Sequence, residues 1–299
     1  MAQTYDMNLI KVVEKFRSEE KCRAYLEKLR WPDGVWCPRC GCCEGISRIH
    51  DRGQFDCDSC RYQFSVTAGT IMHDTKLPLW KWFLAVYMIV ESKKGISANQ
   101  LKRTLSVSYR TAWYLCHRIR KALQTPDGFL KGIIEIDSTH AGNRHARGVG
   151  TGRKTVVIGA VQRKGPARLK ALQGKHDSES VAAVGKFVRA NIAEDVTVYT
   201  DGAPAYKAVL KDRNRHERVN HEADEWVRGN VHTNSVEGVW SLFKRSVVGA
   251  FHQVSCKHLP AYLDEFEFRF NNRDNPYIFR DAMRGMLTAE NIEYKELVA

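Results

Sequence analysis

Several things are scarce in this 299-residue chain, and the shortages narrow what it does. No apolar run is long enough to cross a bilayer. The longest, Leu77–Val90, falls short of the roughly 20 residues a span requires and is broken by Pro78 and Lys81. Met1–Arg17 holds no apolar signal core, so nothing there marks the chain for export. No segment repeats and none is of low complexity, which sets aside solenoid arrays. Acid is the most telling shortage. Lys and Arg number 47 against 34 Asp and Glu, a formal charge of +13 and a pI near 9.3. Acidic residues vanish from Ser92–Pro126, which carries eight Lys/Arg, and from Ser138–His176, which carries nine. One charge run is ordinarily a solvated face. Two acid-free windows point instead to a phosphate backbone, nucleic acid before membrane. The expectation is a cytoplasmic, nucleoid-associated protein with no membrane partner.

What is present is ordinary for a globular protein: 43% apolar and 27% charged residues, over a length that suggests about two domains. Without an export signal, the nine cysteines read as thiols and metal ligands in a reducing compartment. Four of them form a pattern. Cys37-Pro-Arg-Cys40 and Cys57-Asp-Ser-Cys60 make C-x2-C-x16-C-x2-C, and each pair places two thiolates on one tight turn. Two such turns close a four-sulfur site around one structural Zn²⁺. Cys22, Cys116 and Cys256 read as packing residues.

Residues 1–30 carry apolar positions at helical spacing and predict short N-terminal helices; residues 31–74, rich in Cys, Gly and aromatics, predict a small zinc ribbon. Residues 75–126 read as helical and as a helix-turn-helix. Ser97 caps a first helix through Leu105, and Tyr109–Ala122 forms a second that carries Arg110, Arg118, Arg120 and Lys121 as DNA contacts. Thr125-Pro126-Asp127-Gly128 marks a boundary. Beyond it, 127–299 shows β-branched runs at Ile133–Asp137, Thr155–Val161, Arg168–Leu172 and Val196–Thr200. A helical period covers Ser178–Asn191, and two more follow at Ser235–Val247 and Leu259–Phe270. The order predicts an α/β fold with a mixed sheet, consistent with an RNase H-like core.

Asp137 and Asp201 each end an apolar run, and Glu237 lies on a helical stretch with Lys244 seven residues on, nearly on the same face. Acids delivered by two strands and a helix suit two divalent cations in phosphoryl transfer. Glu135 shares a strand face with Asp137 and competes with it for that role. The basic segment Arg144–Lys175, with Arg153 and Lys154, is a candidate track for DNA.

At this point the motifs resemble those of the zinc-ribbon-bearing DDE transposases of bacterial insertion sequences, of the fifteen-ninety-five type. The resemblance rests on Trp36–Cys40, Gln63–Thr70, Ser92–Ser97, Thr200-Asp201-Gly202, His232–Arg245, Tyr262–Phe266 and Phe270–Arg273. It implies an RNase H-like catalytic domain preceded by a zinc ribbon and a helix-turn-helix. It also implies a metal-binding triad on Asp137, Asp201 and Glu237, which demotes Glu135, with the following lysine at Lys244. Two Mg²⁺ (or Mn²⁺) and one Zn²⁺ are the implied cofactors. Element-end and target DNA, and further copies of the chain in a synaptic complex, are the implied partners. The implied activity is binding of terminal inverted repeats, then cleavage and strand transfer. The sequence departs from the family after Asp137, reading Ser138-Thr139-His140 where Glu-Thr-Tyr is usual. Two alternatives share these features: a nuclease of the same fold without strand transfer, and a domesticated DNA-binding regulator.

Overall fold

The computed structural model describes residues 6–124, 128–141, 155–172, 179–211, 215–219, 225 and 227–299. The chain forms two units, one of residues 1–124 with 274–299, the other of residues 125–273.

The first unit opens with α1 (Leu9–Lys15) and α2 (Glu19–Arg30), whose first N–H groups are capped by Asn8 and Ser18. An antiparallel three-stranded sheet follows: β1 (Ile46–Ile49), β2 (Gln54–Cys57) and β3 (Gln63–Phe64). Then come α3 (Leu79–Val90), α4 (Ala98–Leu105) and α5 (Tyr109–Ala122). Ser97 accepts from the Gln100 N–H and Ser108 from the Thr111 N–H, the predicted helix starts. Such caps contribute about 1 kcal/mol each. Ser106, in the left-handed region, turns the chain between α4 and α5.

The core of this unit is aromatic. Phe16, Tyr25 and Phe83 meet edge to face and pack at a tilt against Phe279, whose helix α10 (Ile278–Thr288) packs on α2, α3 and α5. Gly285 makes that crossing possible, since a Cβ there would stand 2.4 Å from the Ala122 carbonyl oxygen. The last helix, α11 (Tyr294–Val298), is tied to α5 through Tyr294, which rings Trp113 and Tyr114. These C-terminal helices thus belong with the N-terminal unit, not with the second as the sequence suggested. The reason is α10's apolar stripe of Phe279, Met283 and Met286, which the first unit buries.

The second unit is a five-stranded mixed sheet of order β6-β5-β4-β7-β8. Its strands are β4 (Ile133–Ala141), β5 (Thr155–Gln162), β6 (Ala167–Ala171), β7 (Thr197–Thr200) and β8 (His216–Arg218). β6, β5 and β4 run antiparallel, and β4, β7 and β8 parallel. Helices α6 (Val181–Asn191) and α7 (Pro204–Leu210) cover one face, where Ile134, Ile136, Ile158 and Val198 meet Phe187 and Tyr206. α8 (Asn234–Ser246) and α9 (Leu259–Asn271) cover the other, where Val157, Val161 and Leu169 meet Trp240, Phe243 and Phe266. This is a three-layer α/β/α arrangement. β5, buried on both faces, reads as the continuous apolar run such a layer demands. The sequence did not signal α7 or the three-residue β8. It also ended the first strand at Asp137, whereas β4 runs on to Ala141 because Ser138–Ala141 keep pairing with β5.

Candidate functional site

The cysteine cluster lies in the first unit. Among the described residues, Cys37, Cys40, Cys57 and Cys60 are the one set of metal-ligating groups whose donor atoms all fall within 4.8 Å of one another. Cys37 and Cys60 have Sγ atoms 3.6 Å apart, Cys40 and Cys57 3.7 Å. A zinc ion with bonds of about 2.3 Å to sulfur sets tetrahedral edges near 3.8 Å, so the four atoms fit it. Burial raises the Cys37 thiol, yet N–H donors from Cys40 and Arg39 together with the Cys40 and Cys60 thiols draw the pKa down to about 7. Cys60 is pushed up to about 12, by burial first and by Cys40 second. The cage is closed, with no position left for a substrate. Cys42 and Cys43 stay outside it; the Cys42 sulfur accepts from Ser59 instead.

The carboxylates are gathered in the second unit by strand register. Ile136 pairs with Thr200, the last pair between the parallel strands β4 and β7. One step on stand Asp137 and Asp201, so the pleat turns both side chains to the α8 face. Asp201 leaves the sheet in a turn, its Oδ1 accepting from the Ala203 N–H at 3.1 Å. Glu237 lies in the first turn of α8, and its Oε1 accepts from the buried Thr233 hydroxyl at 2.8 Å. Lys244 is exposed near the other end of the same helix.

Asp137 feels the other two acids. Burial pushes its carboxyl up to about 7, and Asp201 and Glu237 push the same way. The Ser138 N–H and the Trp240 indole oppose them, the indole donating to Oδ2 at 3.0 Å. Behind the aspartates, buried Tyr206 donates to Glu179 at 3.1 Å, and its hydroxyl is raised by burial and by Glu179, Asp137 and Asp201 in turn.

Glu135 is not among them. Fully buried, it accepts from Arg163 Nε at 2.6 Å, the Ser235 hydroxyl at 2.9 Å and the backbone N–H groups of Ser235 (2.6 Å) and Val236 (3.2 Å). His232 Nδ1 stands 3.4 Å away. Glu135 therefore anchors the first turn of α8, where the helix dipole favours an anion, and so fixes where Glu237 begins. The alternation of β4 did put Glu135 and Asp137 on one face; only the family resemblance separated the anchor from the candidate ligand. Trp240 was also missed, its signal buried in an ordinary helical apolar stripe.

The expected DNA contacts divide. Arg110 and Lys121 are exposed, with Arg110 lying 4.1 Å over the Tyr294 ring. Arg118 and Arg120 are 5% and 1% exposed and are withdrawn as DNA contacts. Arg118 donates to the His73 carbonyl and packs over Trp82 and Tyr114, so its charge serves the fold. Exposed cations on this part of the chain are instead Lys93, Lys94, Lys102 and Arg103. Arg153 and Lys154 lie outside the described residues. No helix among the described residues is long and apolar enough to cross a membrane.

Residues 129–271 match the ISXO2-like transposase domain, and residues 17–63 the transposase zinc-ribbon domain. A protein in transposable element ISH50 of Halobacterium salinarum is 32% identical over 279 residues, 86% of this chain and 92% of that one. A transposase-like protein of Haemophilus influenzae is 29% identical over 88 residues, 29% of this chain and 70% of that one. A solved simian T-cell lymphotropic virus intasome in complex with PP2A regulatory subunit B56 gamma aligns at 12% identity and a TM-score of 0.26. That alignment covers 56% of this chain and 60% of the other, and is too distant to bear on fold or function.

Proposed function

The chain belongs to the ISXO2-like transposase family, and from that premise we propose that it binds the terminal inverted repeats of its element and cuts and joins DNA by metal-dependent phosphoryl transfer. The observation that carries the reading is the meeting of Asp137 and Asp201 one register step past the last β4–β7 pair, with Glu237 near enough to raise Asp137's carboxyl. Asp137, Asp201 and Glu237 would hold two Mg²⁺ or Mn²⁺ ions. Such ions supply Lewis acidity, activating the attacking oxygen and offsetting charge on the leaving one.

The chain's own part is positioning. Glu135 and Arg163 fix the start of α8 against β4, so that Glu237 faces the two aspartates from a rigid helix. Lys244, seven residues along that helix, holds a DNA phosphate beside the scissile bond. Water attacks at the element end and frees a 3′-hydroxyl, which then attacks target DNA; no protein nucleophile is needed. The zinc-held ribbon and the α4–α5 pair grip the ends, with Arg110, Lys121, Lys102 and Arg103 on phosphates. Further copies of the chain join two ends in a synaptic complex.

Asp201→Asn tests the reading. Cleavage of a labelled element-end duplex in Mg²⁺ or Mn²⁺ is expected to be lost while DNA binding persists; retained cleavage removes Asp201 from the site. Strand transfer from a pre-cut end separates a transposase from a nuclease of the same fold. The regulator alternative loses ground to the intact set of acids and lysine.

A further inference from the structure

Gly159 is an odd residue for the middle of β5, a strand otherwise of Thr, Val, Ile, Ala and Gln. Glycine there weakens a strand and often marks a close approach by another group. The nearest approach is by Trp240, whose Cη2 and Cζ2 atoms would stand 2.5 and 2.6 Å from a Cβ on Gly159, with Leu169 Cδ2 next at 2.8 Å. Gly159 is also the register partner of Asp137 on the neighbouring strand. The absent side chain thus opens a slot directly beside the candidate metal ligand, and the buried indole fills it. Seated there, the ring carries its one donor, Nε1, to Oδ2 of Asp137 at 3.0 Å.

We propose that Trp240, seated over Gly159, is a positioning residue that holds the Asp137 carboxylate in the orientation in which it binds metal. The proposal rests on the reading of Asp137, Asp201 and Glu237 as the metal site. Groups that hydrogen-bond a metal-ligating carboxylate commonly set affinity by about 10–100-fold. α8 is then fixed to β4 at two points, by Glu135 at its first turn and by Trp240 beyond it. The rival role is packing alone, because a buried tryptophan stabilises any core it fills.

A reciprocal size swap separates the two roles. Trp240→Phe removes the N–H donor and the outer ring atoms, and Gly159→Ala places a methyl where those atoms lay. The double variant W240F/G159A therefore refills the slot without restoring the donor, the flexible end of Leu169, 2.8 Å from the new methyl's position, turning aside. Mn²⁺ binding to the full-length, zinc-loaded chain is measured by the loss of the free-ion electron paramagnetic resonance signal, and folding by thermal denaturation. W240F is expected to lose about 10–100-fold in Mn²⁺ affinity. G159A, which drives the ring out of its slot, is expected to lower both Tm and affinity. In the double variant Tm recovers towards wild type while the affinity stays as low as in W240F. Wild-type affinity in a folded W240F, or in the double variant, overturns the proposal. Asp201→Asn is the control: if it binds Mn²⁺ as wild type does, the metal-site reading fails and takes this proposal with it. If only D201N loses binding, the metal site stands and the role of Trp240 is packing.

Discussion

The four cysteines and the three carboxylates of the proposed metal site are assembled in opposite ways. The thiols lie within residues 37–60, and two tight turns deliver them in pairs. Little beyond the ribbon is needed to bring them to tetrahedral spacing. The carboxylates span residues 137–237, and no local turn unites them. Strand register places Asp137 beside Asp201, and a buried glutamate decides where Glu237 stands. A site closed by local geometry depends on its ion for its fold. A site gathered by the whole fold keeps its shape without the ion and carries the cost in a buried carboxyl, Asp137, that resists ionisation. That difference predicts which mutations unfold and which only disarm.

The largest effect is expected in the ribbon. Structural zinc in small modules is worth on the order of 10 kcal/mol of folding, and the ribbon has few other means of holding β1–β3. Cys37→Ser should abolish the bound zinc and expose residues 46–64 to amide exchange. Cys42→Ser, outside the cage, should leave one zinc per chain by mass spectrometry. Equal zinc in both variants would break the contrast at its first point.

Second in size is the anchor. Glu135 is fully buried with its charge matched by Arg163 and by two N–H groups of α8. Breaking one side of a buried ion pair costs about 3–5 kcal/mol, so Glu135→Gln should lower stability by roughly that amount in denaturant titration. Asp137→Asn, two residues away on the same strand face, should not destabilise the metal-free protein at all. If both destabilise alike, Glu135 and Asp137 do not differ in kind.

A pH titration sharpens the same contrast. Asp137 holds its proton up to about 7 when folded, well above its unfolded value, chiefly through burial. Between those two values the folded state binds more protons than the unfolded one, so stability falls as pH rises. Metal-free protein should therefore be most stable near pH 4 as far as this group is concerned, and lose that contribution as pH climbs through about 7. Asp137→Asn should flatten this part of the curve. An unchanged slope in the variant would mean that Asp137 does not hold its proton above the unfolded value.

These contrasts follow how much was legible beforehand. The zinc ligands could be read from spacing because their geometry is local. The mixed sheet and the order of most elements along the chain followed from β-branched runs and helical periods, while β8 was too short to leave a pattern. Asp137 and Asp201 stood out as the ends of apolar runs, although β4 in fact outruns β7 by pairing on with β5. Strand pattern alone could not tell Glu135 from Asp137, and only the family resemblance chose between them, because their surroundings differ in what α8 brings to them. Gly159 and Trp240 make sense only as a pair, 81 residues apart in the chain. Residue 274 onward looked like a continuation of the second unit, since amphipathic helices do not announce which core they join.

The smallest effects concern the basic surface, where sequence was least able to choose. Helical spacing put Arg110, Arg118, Arg120 and Lys121 on one element, but only the fold says which cations face out. Arg118 is spent on the His73 carbonyl and two aromatic rings, so Arg118→Ala should lower Tm and leave the salt dependence of DNA binding unchanged. Lys121 is exposed, and each phosphate contact removed reduces the slope of log affinity against log salt by about one. Lys121→Ala and Arg103→Ala should each do so with Tm unmoved, measured by fluorescence anisotropy on an element-end duplex across a salt series. The opposite assignment, with Arg118 changing the slope and Lys121 changing Tm, would mean that this helix turns its other face to DNA. In this region, as in the carboxylate site, chemistry follows from which side of an element the fold leaves open, and charge by itself does not decide it.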